Sequence, residues 1–248
     1  TEPLGTITAE VARETGLSED TVVTTGIHDS NSSLIPYLIS RDDDFVLNST
    51  GSWCVAMHRM ERIEFRPEEL GKLVFYNLSY RGTPVKTSIL TGGMEYETYT
   101  EVLHNLHDRN DDPGFDLERY AKFIDRADTF VLPSVIRGAG QFPHSTPRVV
   151  QDGASYALDE IRNGANVPPV FHDYEAGFAA VNLSVAIQSV VALQRVGLVP
   201  GVDLFIEGGF RNNHAYLSLL AALLPDNPVA VTSFEEATAV GAALCAKA

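Results

Sequence analysis

The chain is poor in cysteine. Its 248 residues include only two cysteines, Cys54 and Cys245, which lie far apart and form no CxxC pair. Such spacing matches neither a disulfide framework nor a cysteine metal motif. We therefore expect two reduced, buried thiols in a cytoplasmic protein.

Basic residues are also scarce. The 18 lysines and arginines are outnumbered by 33 aspartates and glutamates, so the formal net charge is −15. An acidic surface of this kind repels phosphate backbones, which argues against nucleic acid as the main partner. It does not argue against a nucleotide, because nucleotide sites depend on local backbone amides and a bound cation rather than on total charge.

Long apolar runs are lacking as well. The most apolar stretch, Ala176–Leu198, contains Asn182, Gln188, Gln194 and Arg195. No run reaches the roughly 20 apolar residues that cross a bilayer, and no signal peptide is visible at the start. Hydrophobic residues still make up 44% of the chain, enough for a sizeable core. We expect a globular protein without a membrane partner.

Predicted strands and helices follow one another in a mixed order. The predicted strands cover residues 21–25, 45–48, 53–57, 72–80, 85–90, 204–207 and 229–231. The predicted helices cover 6–17, 30–40 with a break at Pro36, 95–108, 116–126, 174–196, 213–224 and 235–247. Residues 130–150 carry several prolines and glycines and are predicted to be irregular. This order favours an α/β fold, a mixed sheet with helices on its faces.

Asp29 is the first candidate catalytic residue. A β-branched segment ends just before it, and a helical pattern begins just after it. In α/β sheets ligands bind at the edge where strands end and helices begin, so a carboxylate there could act as general base for a substrate hydroxyl. The ordinary alternative is helix capping, since aspartate is a good N-cap residue. We interpret His28 beside it as structural rather than catalytic.

Two glycine-containing turns are candidate ligand contacts. The turn Ser49–Ser52 offers backbone amides and hydroxyls, as anion-binding turns do, although such turns also form because Ser and Thr bond their own backbone. Gly208 and Gly209 follow a predicted strand and would let the backbone approach a ligand closely, with the amides of Asn212 and Asn213 nearby. A plain strand-to-helix turn explains the glycine pair equally well.

The order of these motifs resembles the second half of the FGGY carbohydrate kinases, members of the actin–hexokinase superfamily. The motifs are GIHD at 26–29, NSTGSW at 48–53, the glycine pair at 92–93, EGGFRNN at 207–213 and EEATAVGAALCA at 235–246. The resemblance spans nearly the whole chain and is strongest at its two ends. It implies an RNase-H-like domain with a mixed sheet and flanking helices. Residues 1–42 would end the amino-terminal, sugar-binding domain, and residues 43–248 would form the carboxy-terminal, nucleotide-binding domain.

The resemblance implies a role for each motif by its position. Asp29 takes the place of the base that accepts the proton of the sugar hydroxyl. The residues implied to bind ATP are Thr50, Gly51, Ser52, Gly92, Gly93, Gly208, Gly209 and Asn212. Mg²⁺ would accompany ATP, and no residue of this chain is assigned as its ligand. The implied reaction is an in-line phosphoryl transfer from ATP to a sugar hydroxyl.

Two departures from the family bear on what this chain does. Family members are much longer, and their amino-terminal half supplies the first phosphate hairpin, a Mg²⁺-linked aspartate and most sugar contacts. We therefore expect that half to be the partner of this chain, and we expect the isolated chain to bind nucleotide without turnover. Phe210 stands where relatives often have glycine or alanine, which bears on how adenine would lie.

The sugar and the assembly are left open. The pair His28-Asp29 is shared with kinases of 6-deoxy-ketoses such as rhamnulose and fuculose, whereas ribulose, xylulose and erythritol are further alternatives. A homodimer is left open too. Two other classes of protein compete with the kinase: a non-catalytic, nucleotide-dependent regulator of the same superfamily, and a plain α/β interaction domain whose glycines only make turns.

Overall fold

The structure is a computed structural model that describes residues 2–232 and 236–247, without the side chain of Lys247. Its strands are β1 (Pro3–Thr6), β2 (Val22–Thr24), β3 (Phe45–Thr50), β4 (Cys54–Arg59), β5 (Val74–Leu78), β6 (Pro84–Leu90), β7 (Thr129–Leu132), β8 (Arg148–Gln151), β9 (Ala154–Ala157), β10 (Asp203–Gly208) and β11 (Val229–Val231). Its α-helices are α1 (Ala9–Thr15), α2 (Asp29–Ser40), α3 (Gly92–His107), α4 (Leu117–Arg126), α5 (Leu158–Arg162), α6 (Tyr174–Arg195), α7 (His214–Leu223) and α8 (Ala237–Lys247).

Among the described residues, six strands form the central sheet, in the order β11-β10-β3-β4-β6-β5. Strands β11, β10 and β3 run parallel to one another, whereas β3-β4, β4-β6 and β6-β5 are antiparallel pairs. Helix α7 links the parallel strands β10 and β11, and a short turn links the antiparallel strands β3 and β4. The predicted α/β class and its mixed sheet are confirmed.

Both faces of the central sheet are covered. Neighbouring residues of a strand point to opposite faces, so Val46 packs in the cluster with α6 and α7, while Leu47 packs in the cluster with α2. Leu204 and Phe205 of β10 divide in the same way. A strand covered on both faces is apolar at successive positions, which is why these two strands could be recognised in the sequence.

Helix α6 is the core helix. By length and composition alone it is apolar enough to cross a membrane, but 67% of its most apolar window is buried inside the protein. Its Ala186 and Leu193 pack with the central sheet, and its Phe178 and Val181 pack with a second, antiparallel sheet of β7, β8 and β9. Helix α6 is therefore buried because it packs between two sheets. The predicted helix over residues 174–196 is confirmed.

The last predicted helix, over residues 235–247, is confirmed from Ala237 onwards. Its predicted first residue, Glu235, lies outside the described residues. The prediction of irregular structure over 130–150 is wrong at both ends, because β7 and β8 extend into this region and pair with each other. Pro133 and Pro143 lie in the connection between the two strands, where proline costs no ladder hydrogen bond. Strands β1 and β9 and helix α5 were not predicted.

The predicted break of helix α2 at Pro36 is also wrong, because the helix runs through this residue. Proline lacks the N–H that would bond the carbonyl four residues earlier, which here belongs to Ser32. That carbonyl faces α8, where a Cβ added to Gly241 would lie only 1.8 Å from the Ser32 oxygen. The Ser32 hydroxyl also donates to the Thr238 carbonyl at 2.7 Å. Helix α8 therefore supports α2 at the turn that proline weakens.

The substitution Gly241→Ala tests this contact by the sign of its effect. Alanine favours a helix over glycine by about 1 kcal/mol, so an uncrowded site would gain stability. Because the new Cβ would meet the Ser32 carbonyl, we expect instead a loss of about 1–3 kcal/mol in the free energy of unfolding, measured with urea. The control is Gly114→Ala, since no atom lies within 4 Å of its Cβ position. A stabilised Gly241→Ala variant would show that the helices do not approach this closely.

Candidate active site

Asp29 is the first residue of helix α2, and the N-cap role considered for it belongs to His28. The Asp29 Oδ1 accepts a hydrogen bond from the Ser30 amide at 2.6 Å and lies 2.8 Å from Nδ1 of His28. The Asp29 side chain is 74% exposed. The helix start thus orients the carboxylate while leaving it open to a substrate.

The strand before Asp29 does not belong to the central sheet. Strand β2 pairs antiparallel with β1 in a separate two-stranded sheet. Asp29 therefore does not reach a ligand-binding edge through its own strand, and the reason given for its placement is wrong. Packing of α2 against α8 and against the central sheet brings Asp29 to the carboxyl end of β3 instead.

A first cavity, of about 300 Å³, joins Asp29 to the turn after β3. Asp29 and Ser30 line one part of it, residues 49–53 line another, and Thr238 of α8 completes the wall. The GIHD motif, the NSTGSW turn and the closing EEATAVG motif therefore meet at one place, although they come from opposite ends of the chain.

A second cavity, of about 270 Å³, shares Gly51 with the first. Gly93, Gly209 and Asn212 line this second cavity together with aromatic side chains. The remaining sequence motifs therefore meet here. Gly51 lies at the boundary between a cavity that holds the Asp29 carboxylate and one that is lined by glycines, two asparagine amides, aromatic rings and the Asp112 carboxylate.

Two glycines allow neighbouring segments to approach the turn. A Cβ on Gly93 would lie 2.0 Å from the Gly51 carbonyl oxygen, and a Cβ on Gly208 would lie 1.8 Å from the Thr50 carbonyl oxygen. Gly208 also has a φ of +79°, which L-residues rarely adopt. The start of α3 and the end of β10 therefore both contact the turn through backbone atoms. A plain strand-to-helix turn would not require such close contacts.

Gly92 has a packing role. A Cβ on this residue would lie 2.7 Å from Sγ of Cys54, and Gly92 is buried behind the cavity walls rather than among the residues that line them. Burial raises the pKa of the Cys54 thiol to about 12, so this thiol is unreactive at neutral pH. Both cysteines, Cys54 and Cys245, are buried, as expected.

Thr50 fastens the turn to the end of β10. Its Oγ1 donates to the Glu207 carbonyl and accepts a hydrogen bond from the Phe210 amide at 3.0 Å. The residue is buried. Because its hydroxyl is engaged on both sides, the Thr50 side chain supports the turn and is not available to a ligand.

Aromatic residues form the wall of the second cavity beside Gly209. The Phe210 ring stacks on Tyr216 with centroids 4.6 Å apart and meets Tyr96 edge-on at 5.5 Å. Phe210 is therefore buried in the core and does not fill the cavity. The Asn213 amide bonds Asn182 and the Tyr216 backbone, which leaves Asn212 as the exposed amide of this motif.

The surroundings of Gly51 suit an anion despite the acidic surface of the chain. Gly93 belongs to the first turn of α3, and the Met94 amide donates to the Ser52 carbonyl at 3.1 Å, which fixes the helix start against the turn. Backbone amides at a helix N-terminus carry partial positive charge and bind phosphate groups. A phosphate chain that passes Gly51 would therefore meet these amides, while a bound cation would have to offset the Asp29 and Asp112 carboxylates that line the two cavities.

Metal binding by side chains of this chain is a separate question from phosphate binding by its backbone. Among the described residues, no group of three or more His, Cys, Asp or Glu side chains could hold one. Mg²⁺ commonly uses only one or two carboxylates together with substrate phosphates and water. The donor set around Asp29 fits an ion carried mainly by a nucleotide, and it does not fit a cage built by this chain alone.

Solved structures of sugar kinases share this fold over nearly the whole chain. A carbohydrate kinase from Novosphingobium aromaticivorans is 26% identical, with a TM-score of 0.68 over 99% of this chain and 50% of that one. A ligand-bound xylulose kinase from Lactobacillus acidophilus matches with 15% identity and a TM-score of 0.71, over 99% of this chain and 46% of that one. A gluconate kinase from the same species matches with 14% identity and a TM-score of 0.68, over the same shares. The fold is that of the actin–hexokinase-like sugar kinases.

The family follows from the sequence match. Residues 42–248 match the family described as carbohydrate kinase FGGY, C-terminal domain. The chain therefore belongs to the FGGY carbohydrate kinases, and the resemblance drawn from its motifs is confirmed. No curated protein matches the sequence of this chain significantly. The chain spans about half the length of the solved structures it matches.

Several residues of the two cavities were not predicted from the sequence. Trp53 and Thr238 line the first cavity, and Tyr96 and Asp112 line the second, where the Tyr96 hydroxyl donates to Asp112 Oδ2 at 2.8 Å. Thr238 lies inside the EEATAVG motif, and Trp53 closes the NSTGSW motif, so both could have been found there. Asp112 lies in a connection between helices, where nothing in the sequence distinguishes it from other acidic residues.

Proposed function

We propose that this chain is the nucleotide-binding half of an ATP-dependent kinase that phosphorylates a hydroxyl group of a sugar or ketose. The observation that supports this proposal most strongly is that Gly51 lines both cavities. A nucleotide in the second cavity would point its terminal phosphate past Gly51 towards Asp29. In-line phosphoryl transfer needs this arrangement of donor, phosphate and acceptor, and depends on positioning more than on covalent chemistry.

Each motif has a role in this proposal. Asp29 would accept the proton of the attacking hydroxyl, and the backbone of Thr50, Gly51 and Ser52 would hold the phosphates. Two further segments would complete the ATP site: Gly93 at the start of α3, with Gly92 packed behind it, and Gly208, Gly209 and Asn212 at the adenosine end. Mg²⁺ bound with ATP would neutralise charge on the phosphates.

We propose the amino-terminal half of the kinase as the partner of this chain. Residues 1–42 would end the sugar-binding domain and residues 43–248 would form the nucleotide-binding domain, a division supported by the family match from residue 42. The exposure of apolar side chains near the start also supports this partner, since Leu4, Leu17 and Val22 are 68%, 52% and 57% exposed. Several exposed apolar side chains within one segment fit a surface that another domain covers.

The substrate is proposed only as a class. The matched structures include xylulose and gluconate kinases, and the pair His28-Asp29 favours a 6-deoxy-ketose such as L-rhamnulose or L-fuculose. A panel of ketoses and sugar acids, assayed with the complete kinase, would separate these. Phosphorylation of none of them, combined with ATP binding, would favour a non-catalytic regulator of the same superfamily. A cytoplasmic location is part of the proposal, and a homodimer is left open.

Binding of ATP should be measurable on this chain by itself. At a hundredfold excess over its Kd, ATP should add about 2.7 kcal/mol to the stability of the native state, which raises the Tm by about 5–10 °C in a domain of this size. The variant Asn212→Ala should reduce this shift, whereas Asn105→Ala, at an exposed position on α3, should not. An unchanged Tm with ATP would favour the plain α/β interaction domain.

The same preparation should not phosphorylate a sugar. The first phosphate hairpin and most sugar contacts are expected from the amino-terminal half, so a coupled assay of ADP release should show no sugar-dependent rate above background. Adding the amino-terminal half in the same polypeptide should restore turnover. Robust phosphorylation by the isolated chain would contradict the proposed division of the site.

A further inference from the structure

Glu207 is a buried carboxyl group directly before the glycine pair of the proposed site. It lies near the carboxyl end of β10, opposite Ser49 of β3 in the parallel register, and it immediately precedes Gly208. The residue is only 4% exposed, which is rare for a glutamate. Its backbone carbonyl accepts the hydrogen bond from Thr50 that fastens the turn. Its side chain has no role in the phosphoryl transfer described above.

The side chain of Glu207 is incompletely satisfied. Its Oε2 is buried without a hydrogen-bond partner, and a buried polar atom of this kind calls for an explanation. Burial raises the pKa of Glu207, and the nearby hydroxyls of Ser33 and Ser49 only partly oppose this. Ser33 belongs to the Asp29 helix and Ser49 to the strand that leads into the turn, so the carboxyl lies between the two parts of the site.

The groups that face Glu207 are uncharged, so burial outweighs the two serine hydroxyls that oppose the rise of its pKa. From α2 these are Ser33 and Tyr37, and from β3 the group is Ser49. Tyr37 also bonds Thr232, which follows β11, and burial raises the pKa of Tyr37 to about 12, so this phenol stays neutral. None of the ion pairs in the described part of the chain includes Glu207.

We propose that Glu207 is a positioning residue that holds the Asp29 helix against the phosphate-binding turn, and that it does so in its neutral, protonated form when ATP is bound. A protonated carboxyl can donate to one of the serine hydroxyls. An ionised carboxylate cannot donate, and it would repel the phosphates beyond the turn through a poorly screened interior. ATP therefore binds the protonated form more tightly, and binding is linked to proton uptake. This inference rests on the proposed ATP site.

The test compares the wild-type chain with Glu207→Gln, which has the shape of the neutral carboxyl but no titration. ATP affinity is measured by calorimetry from pH 5.5 to 8, in two buffers with different ionisation enthalpies. The Kd of the wild type, divided by the Kd of Glu207→Gln at the same pH, should rise about three- to tenfold across this range, because the ATP-bound state holds the Glu207 proton more tightly. This ratio removes the titration of ATP itself.

Two controls separate this role from general effects. Glu101→Gln, at an exposed position on α3, should give a constant ratio to wild type at every pH. Adenosine, which has no phosphates, should bind the wild type without proton uptake beyond that seen with Glu207→Gln. Without ligand, Glu207→Gln should raise the Tm increasingly as pH rises above about 4.5, because the buried wild-type carboxyl loses stability when it ionises.

The outcomes are distinguishable from those of the proposed function. ATP binding with parallel pH profiles for the wild type and Glu207→Gln would overturn the role of Glu207 and leave the ATP site intact. A Glu207→Gln variant that binds ATP at least tenfold more weakly at every pH would also overturn it. If the wild-type chain bound no ATP at any pH, the proposed function would fail, and this inference with it.

Discussion

Replacing Asp29 by asparagine is expected to slow sugar phosphorylation by about 10²–10⁴-fold, the usual contribution of a positioned general base. Asparagine keeps the size of the side chain but cannot accept the proton of the attacking hydroxyl. ATP affinity should stay within about twofold, because Asp29 lines the first cavity and not the second. The rate is measured by coupled ADP release in a polypeptide that includes the amino-terminal half, and the affinity by calorimetry.

The matched control is Asp20→Asn. Asp20 is an exposed carboxylate in the same leading segment, before β2 and away from both cavities. Its replacement removes the same charge and should leave the rate within about twofold of wild type, as surface substitutions usually do. Full activity of Asp29→Asn would remove Asp29 from the reaction. A parallel loss of ATP affinity and rate would instead make it a binding or folding residue.

The elements that could be predicted are those with a strong local signal. Strands β3 and β10 are covered on both faces, so their successive apolar residues identify them. Helix α6 is long, and most of its apolar residues are buried. The order of the motifs then identified the family without any knowledge of how the elements pack.

The geometry of the site could not be predicted, because it depends on contacts between distant segments. The sequence places Asp29 after a strand, but only the structure shows that this strand lies outside the central sheet and that α8 helps to position α2. Likewise, Pro36 indicates a helix break unless the support from Gly241 is known. The EEATAVG motif was recognised only from its sequence. The close approach of α8 to α2 gives a physical reason for the glycine in this motif.

Glu207 was the least predictable member of the site. Glutamate is usually exposed, so its place before the glycine pair suggested nothing about burial. The apolar strand before it ends at the sheet edge, where α2 covers the side chain. Glutamate is normally found at the surface, so a glutamate indicates a special role only when the structure shows that it is buried.

The substitution Gly208→Ala is expected to have the largest effect on the stability of the site. The new Cβ would lie 1.8 Å from the Thr50 carbonyl oxygen, and the residue has φ +79° and ψ −154°, a conformation that suits glycine alone. Crowding and backbone strain each cost about 1–3 kcal/mol, so we expect a loss of about 3 kcal/mol or more in the free energy of unfolding. We also expect ATP affinity to fall at least about tenfold, since the turn must move away from β10.

Gly138→Ala is the control for a positive φ, because Gly138 has the same φ of +79° but no atom within 4 Å of its Cβ position. This control should show the backbone strain alone, about 1–2 kcal/mol, with no change in ATP affinity. The difference in unfolding free energy between the two variants, measured with urea under the same conditions, therefore reports the cost at Gly208 beyond a positive φ, which comes from the contact with the turn and from the ψ of −154°. Equal losses for the two variants would mean that the turn can yield without cost. Glycine at position 208 would then be needed for its backbone conformation and not for the approach of β10 to the phosphate-binding turn.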